Sequence, residues 1–209
     1  GEAAKIKSIE KVTNHDVKAV EYYMKQEMDN NGLGRFKEFV HFGLTSQDIN
    51  NTAFPLMIRA GIDTVILPAL LNVVADIKLK AVEYHGIPML ARTHGQPASP
   101  TTLGKEMLVF CERLEDEMEL MAGIAIKCKF GGATGNFNAH KVSYPDINWI
   151  DFGNRFCNGL GLKRSLHTTQ IAHYDDHAAV FHAFSRINTI LLDFCRDVWT
   201  YISMDYFKQ

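Results

Sequence analysis

The chain has 209 residues, 46% of them hydrophobic and 22% charged, with a formal net charge of −2. This is the composition of an ordinary globular protein, and its near-neutral balance speaks against nucleic acid or an anionic membrane surface as a partner. The cysteines Cys111, Cys128, Cys157 and Cys195 form no CxxC pair and read as free buried thiols of a reducing, cytoplasmic compartment; the start, Gly1-Glu2-Ala3-Ala4-Lys5, has no apolar signal region.

In chain order, residues 15–30 predict a helix capped by Thr13 or Asn14, with Asp16 in its first turn near the positive dipole end. Asn30-Asn31-Gly32-Leu33-Gly34 ends it. A short helical turn at 36–41 leads to Thr45-Ser46-Gln47-Asp48, where Thr45 and Asp48 have the T-x-x-D capping form. The next helix runs to about residue 60, with Pro55 as a kink. Residues 61–84 repeat apolar side chains at helical spacing, from Ile62, Val65 and Ile66 to Ile77 and Ala81. Asp63, Asp76, Lys78 and Lys80 interrupt that stretch, so it predicts a core helix and not a membrane span. After His85-Gly86-Ile87-Pro88 and the turn Arg92-Thr93-His94-Gly95-Gln96-Pro97, a helix is predicted over 102–129. A Gly-rich loop follows at 131–136; Pro145 opens a helix to residue 161, and the last helix covers 174–207.

The last helix carries apolar residues around more than one narrow stripe, including Phe181, Phe184, Leu191, Phe194 and Trp199. At 1.5 Å per residue, roughly 34 residues span about 50 Å. Such a helix belongs inside a bundle of long helices, one shared between subunits. No useful strand-like alternation appears, so the expected class is all-α.

Three polar clusters stand out, each expected at the start of a long helical pattern. A loop histidine such as His94, beside Thr93 and Gln96, can exchange protons with a substrate near neutral pH; the structural alternative is a histidine bonded to backbone. In Asn14-His15-Asp16 a helix cap requires Asn14 or Asp16 but not His15. Thr45 and Ser46, followed by open amides, form an anion site as readily as a cap. The Gly-rich loop, GGxxG without a following Lys-Ser/Thr, is no P-loop. His173 and His177 are an i, i+4 pair, yet no zinc signature accompanies them; a solvated helix start with Asp175 and Asp176 reads better, and neither metal nor cofactor is expected. His41, His85, His140, His167 and His182 read as structural, although His41 and His140 adjoin the polar clusters.

Together these stretches resemble the adenylosuccinate lyase family, in its bacterial form, within the fumarase/aspartase superfamily. The resemblance is carried by Thr13-Asn14-His15-Asp16, His41-Phe42-Gly43-Leu44-Thr45-Ser46-Gln47-Asp48, Arg92-Thr93-His94-Gly95-Gln96-Pro97, Gly132-Ala133-Thr134-Gly135-Asn136 and Thr168-Thr169-Gln170-Ile171, and it covers essentially all 209 residues. It implies a long-helix bundle and β-elimination of fumarate from adenylosuccinate, giving AMP, and from the related succinyl-aminoimidazole-carboxamide nucleotide. It also implies His94 as acid, with His15 orienting it or binding phosphate. Asn14 and Asp16 would line the nucleotide pocket; Thr45, Ser46 and Thr93 would bind a succinyl carboxylate; Gln96 and Gln170 would contact the substrate. The implied assembly is a homotetramer whose sites combine loops from three subunits.

The family's basic serine lies in a mobile Gly-Ser-Ser…Met-Pro-x-Lys-x-Asn loop, and these residues contain no such loop. The chain is therefore expected to be a central fragment that turns over little substrate alone. Residues 1–34 would end an N-terminal domain and 35–209 would form a truncated central bundle, without the C-terminal domain. A sister lyase acting on argininosuccinate or a carboxymuconate, and a non-catalytic assembly module, are the alternatives; a zinc hydrolase on His173 and His177 is the weakest.

Overall fold

Helices carry most of the chain, as the apolar periodicity predicts, in a computed structural model that describes residues 1–208. The all-α class holds, with two small two-stranded ribbons added to it. Residues pack into two units: Gly1–Ile58 with Ile126–His173, and Arg59–Ala125 with the chain from Tyr174 on.

The first unit begins with α1, Glu2–Thr13, and α2, Asp16–Asn30, which pack on each other. α1 buries no residue. It ends on Asn14 in the left-handed conformation (φ 50°), whose N–H returns to Glu10 O at 2.8 Å. That leaves His15 to cap α2, contrary to the expectation of Thr13 or Asn14. His15 is extended, and its Nδ1 accepts the Lys18 N–H at 3.2 Å. The physical reason is the short junction: once Asn14 closes α1, only the next residue can offer a side-chain acceptor to the first turn of α2.

A 3-10 turn at Gly34–Phe39 leads to α3, Ser46–Gly61, with Pro55 buried inside it. β3, Lys127–Cys128, pairs in parallel with β4, Lys163–Arg164. Between these strands lie α6, Asn138–Ser143, which the sequence did not announce, and α7, Trp149–Gly159. α7 starts later than Pro145 predicts, because Asn148 caps it by accepting the Asp151 N–H at 3.1 Å. Cys128, Phe130, Phe137, Trp149, Cys157 and Leu162 make the core of this unit, with Phe42, Leu44 and Leu56 packed against it.

In the second unit a π-helical turn, Ile62–Ile66, opens into α4, Leu67–Glu83. β1, Pro88–Thr93, and β2, Gln96–Thr102, form an antiparallel hairpin. α5 covers Leu103–Ala122 and α8 covers Asp175–Ser203. α5 is shorter than the predicted helix because Gly123 terminates it and the chain beyond joins β3. α5 packs on both α4 and α8. Leu70, Val74, Ile77 and Ala81 of α4, Met107, Leu114 and Met121 of α5, and Val180, Ala183, Ile187 and Ile190 of α8 are buried. Gly104 permits the tight α4–α5 approach, since a Cβ there would collide with Ala81 O and the His85 backbone. Arg113–Asp193 and Arg186–Glu117 bridge α5 and α8 at 3.1 and 2.7 Å. The outer faces stay apolar: Leu79, Val82, Phe181, Leu192 and Trp199 are all exposed. No helix of the described residues is long and apolar enough to cross a membrane.

Candidate active site

His94 stands at the tip of the β1–β2 hairpin. Thr93 pairs with Gln96, and His94-Gly95 form the turn with φ of 51° and 73°. Two positive φ values in a two-residue connection are the geometry that matches the twist of a hairpin. The Arg92 guanidinium donates to Gly95 O at 3.1 Å and fastens the turn. The expectation of irregular backbone at the mouth of a helix is thus corrected: α5 begins only at Leu103. Pro97 and Pro100 fit because a two-stranded ribbon consists of edge strands. Thr93, His94 and Gln96 are exposed, and no described residue bonds the His94 ring.

The remaining predicted site residues belong to the first unit. Asn14 and His15 form the α1–α2 junction, with Asp16 in the first turn of α2; all three side chains face solvent. The cap occupies His15 Nδ1, so Nε2 is the ring nitrogen left for another group. Two turns further, buried Glu21 bonds His41 Nδ1 at 2.9 Å, Lys18 Nζ at 2.8 Å and Lys25 Nζ at 3.1 Å. Burial pushes the Glu21 carboxyl up, but the hydrogen bonds to Lys18, His41 and Lys25 outweigh it and hold the pKa at about 2. His41 therefore ties α2 to the loop that reaches Thr45.

Thr45 and Ser46 are half-buried at the N-terminus of α3. Asp48 caps that terminus, with Oδ2 accepting the Thr45 N–H at 2.8 Å. It does more than the sequence pattern indicates. Its Oδ1 also accepts from Lys129 Nζ at 2.7 Å and from the Gly131 N–H at 2.8 Å, and Gly132 N–H lies 3.1 Å from both oxygens. Lys129 Nζ donates to Gly132 O as well. The Gly-rich loop does cradle an anion, but the anion is the protein's own carboxylate. One turn along α3, Asn51 Oδ1 accepts the Ala172 N–H at 2.6 Å. Gly135 lies so close to Thr168 O that a Cβ would strike it. The unit thus brings together Thr45-Ser46, the Gly-rich loop and the segment carrying exposed Gln170.

Two further histidines are buried. His177 is only 8% exposed and its Nδ1 bonds Asp176 at 2.8 Å, so that ring turns inward, while His173, Tyr174 and Asp175 beside it at the start of α8 are exposed, as a solvated helix start requires. His140 is buried under Gly43, and burial lowers its pKa against the opposing pull of Asp48 and the Phe42 carbonyl. Cys111, Cys128 and Cys157 are buried free thiols, whereas Cys195 is exposed. No group of three or more His, Cys, Asp or Glu side chains among the described residues is placed to hold a metal ion.

The sequence model of the family described as Lyase matches residues 1–209. An adenylosuccinate lyase of Dictyostelium discoideum is 56% identical over 214 residues, covering 100% of this chain and 46% of that protein. Those of Vibrio cholerae and Escherichia coli are 49% and 46% identical, again over 100% of this chain and 46% of theirs. The chain thus spans about half the length of the curated relatives it matches. Among solved structures, a fumarate lyase from Mesorhizobium aligns with a TM-score of 0.75 at 20% identity, over 97% of this chain and 46% of the other. A beta-carboxy-cis,cis-muconate cycloisomerase from Acinetobacter calcoaceticus gives 0.74 at 19%, over 95% and 45%. At those identities the structural likeness speaks to the fold alone.

Proposed function

This chain belongs to the Lyase family over its whole length, and from that premise we propose that it supplies part of the active site of an enzyme that eliminates fumarate from adenylosuccinate. The same site would cleave the succinyl-aminoimidazole-carboxamide nucleotide of purine biosynthesis. The observation that carries the reading is that Asp48 ties the N-terminus of α3, with Thr45-Ser46, to the Gly-rich loop, while Asn51 further along α3 holds the segment that carries Gln170. A helix N-terminus with two hydroxyls suits a carboxylate, and relatives 49–56% identical over the whole of this chain are adenylosuccinate lyases.

In the proposed reaction a base takes the proton from the carbon beside a succinyl carboxylate. The electron pair left behind forms the C=C bond of fumarate as the C–N bond breaks, and the departing nitrogen receives a proton from His94. Charge builds on the carboxylate during proton removal, where Thr45, Ser46 and Thr93 would stabilise it. Asn14, His15 and Asp16 would hold the nucleotide, with His15 Nε2 toward its phosphate; Gln96 and Gln170 would complete the substrate contacts. No residue of the 209 is assigned as the base. Residues 1–34 would close an N-terminal domain and the rest belong to the central bundle, in a cytoplasmic protein.

The protein expressed from its complete gene should release fumarate from adenylosuccinate, followed by the loss of succinyl-AMP absorbance. Cleavage of argininosuccinate instead, or of neither compound, would overturn this reading.

A homotetramer is part of the same proposal. Leu79 and Val82 on α4 and Phe181, Leu192 and Trp199 on α8 are more apolar surface than a lone bundle of this size leaves bare. Sedimentation equilibrium should give four times the chain mass; a stable monomer at micromolar concentration would count against it.

A further inference from the structure

We propose that Asp48, neutralised by Lys129, is a positioning residue that sets the carboxylate-binding end of α3, and that Asn51 does the same for the segment carrying Gln170. The proposal rests on the reading of Thr45, Ser46 and Gln170 as substrate contacts.

A cap alone would not require this construction. Capping calls for one acceptor toward Thr45 N–H, which a solvent-exposed Ser or Asn supplies. Here the Asp48 and Lys129 side chains are both 0% exposed. The carboxylate receives the Lys129 ammonium and three backbone N–H groups, from Thr45, Gly131 and Gly132. Withdrawing two charges from water is costly unless every lone pair and proton is met, and the return is a single geometry. That geometry fixes the Thr45 backbone directly to the loop at Gly131 and Gly132. Lys129 also has an electrostatic task. An unpaired carboxylate in the first turn of α3 would repel a dicarboxylate arriving at the same terminus. With the ammonium 2.7 Å away, the pair is neutral and the helix end keeps its positive field.

Asn51 extends the device by one turn. Its Oδ1 accepts Ala172 N–H at 2.6 Å, two residues beyond Gln170, while its carbonyl accepts Lys129 N–H at 3.1 Å. Thr52 Oγ1 donates to Lys129 O at 3.3 Å. The buried face of α3 thus sets the mutual placement of the helix terminus, the Gly-rich loop and the Gln170 segment.

The test is steady-state kinetics on the complete protein, with fumarate and AMP used separately as inhibitors. Asp48→Asn with Lys129→Met removes both charges and leaves neither stranded, while Thr45 N–H loses its carboxylate. KM for adenylosuccinate and the inhibition constant of fumarate should rise together by roughly 10-fold or more, with that of AMP within about twofold. If the double variant does not fold, Asn51→Leu and Asn51→Asp decide: Leu removes the acceptor for Ala172 N–H and should raise KM, and Asp restores the acceptor and should recover part of the loss. A purely structural role would lower the thermal midpoint or the yield of active sites and leave every inhibition constant in place, and that result overturns the proposal, as does equal behaviour of Leu and Asp at position 51. Should the unmodified protein release no fumarate from adenylosuccinate, the functional reading fails first and the positioning role falls with it. Unmoved inhibition constants in an otherwise active enzyme sink the positioning role alone.

Discussion

Lys129→Met is expected to destabilise the protein by about 3–5 kcal/mol, the scale for stripping one partner from a buried ion pair. Lys129 and Asp48 have no solvent exposure in their side chains, so water cannot replace the lost ammonium. The N–H groups of Thr45, Gly131 and Gly132 still reach Asp48, which places the loss toward the lower end of that range. Pairing Lys129→Met with Asp48→Asn should recover most of it, because the double change leaves no stranded charge. Urea unfolding of the four proteins in this cycle measures the coupling directly. The surface provides the contrast: Lys18 bonds Glu21 at 2.8 Å, yet its own side chain is 42% exposed, and Lys18→Ala should cost no more than about 1 kcal/mol. A Lys129→Met protein with an unchanged urea midpoint would show that the pair contributes nothing net to the fold.

Hydrophobic period revealed the long helices because it reports burial. Ile77 and Ala81 of α4 and Val180, Ile187 and Ile190 of α8 are buried where helical spacing puts them. The same signal fails where nothing is buried. α1 carries Lys5, Lys7, Glu10 and Lys11 and buries no side chain; its short stripe of Ala3, Ile6 and Ile9, the two isoleucines only half-buried, is too brief to set it apart. The β1–β2 hairpin is exposed along most of both strands, so alternation was absent; its one local sign was His94-Gly95, a pair suited to a turn with two positive φ values. The T-x-x-D pattern identified the α3 cap, but the ammonium and amides that complete Asp48 lie more than 80 residues away in sequence. For the same reason the Gly-rich loop, which the sequence shows only to be no P-loop, gave no sign that its amides cradle Asp48. His15 was passed over as a cap because imidazole seldom fills that place, and only the adjacency of α1 and α2 assigns it there.

His94→Ala, in an active protein carrying these residues, should lower kcat by roughly 10²-fold or more, the scale for losing a positioned acid. KM should change less, because the proposed contacts of Thr45, Ser46 and Asn14 remain. The hairpin geometry supplies a sharper variant. At φ 51° an alanine is strained, so His94→Ala could act through the turn; Asn tolerates that conformation. His94→Asn should therefore keep the hairpin and still lose kcat, whereas retained kcat would make His94 a turn residue and no acid. His15 calls for the same care. His15→Ala removes the α2 cap, a loss of about 1 kcal/mol in stability, and would confuse folding with chemistry; His15→Asn keeps an acceptor for Lys18 N–H. That variant should raise KM and lower kcat, as expected of a nucleotide contact. The decisive comparison is kcat at saturating substrate for the two Asn variants. If His94→Asn turns over near-normally and His15→Asn does not, the proton comes from His15, whose Nε2 is the ring nitrogen the cap leaves open, and His94 positions the substrate.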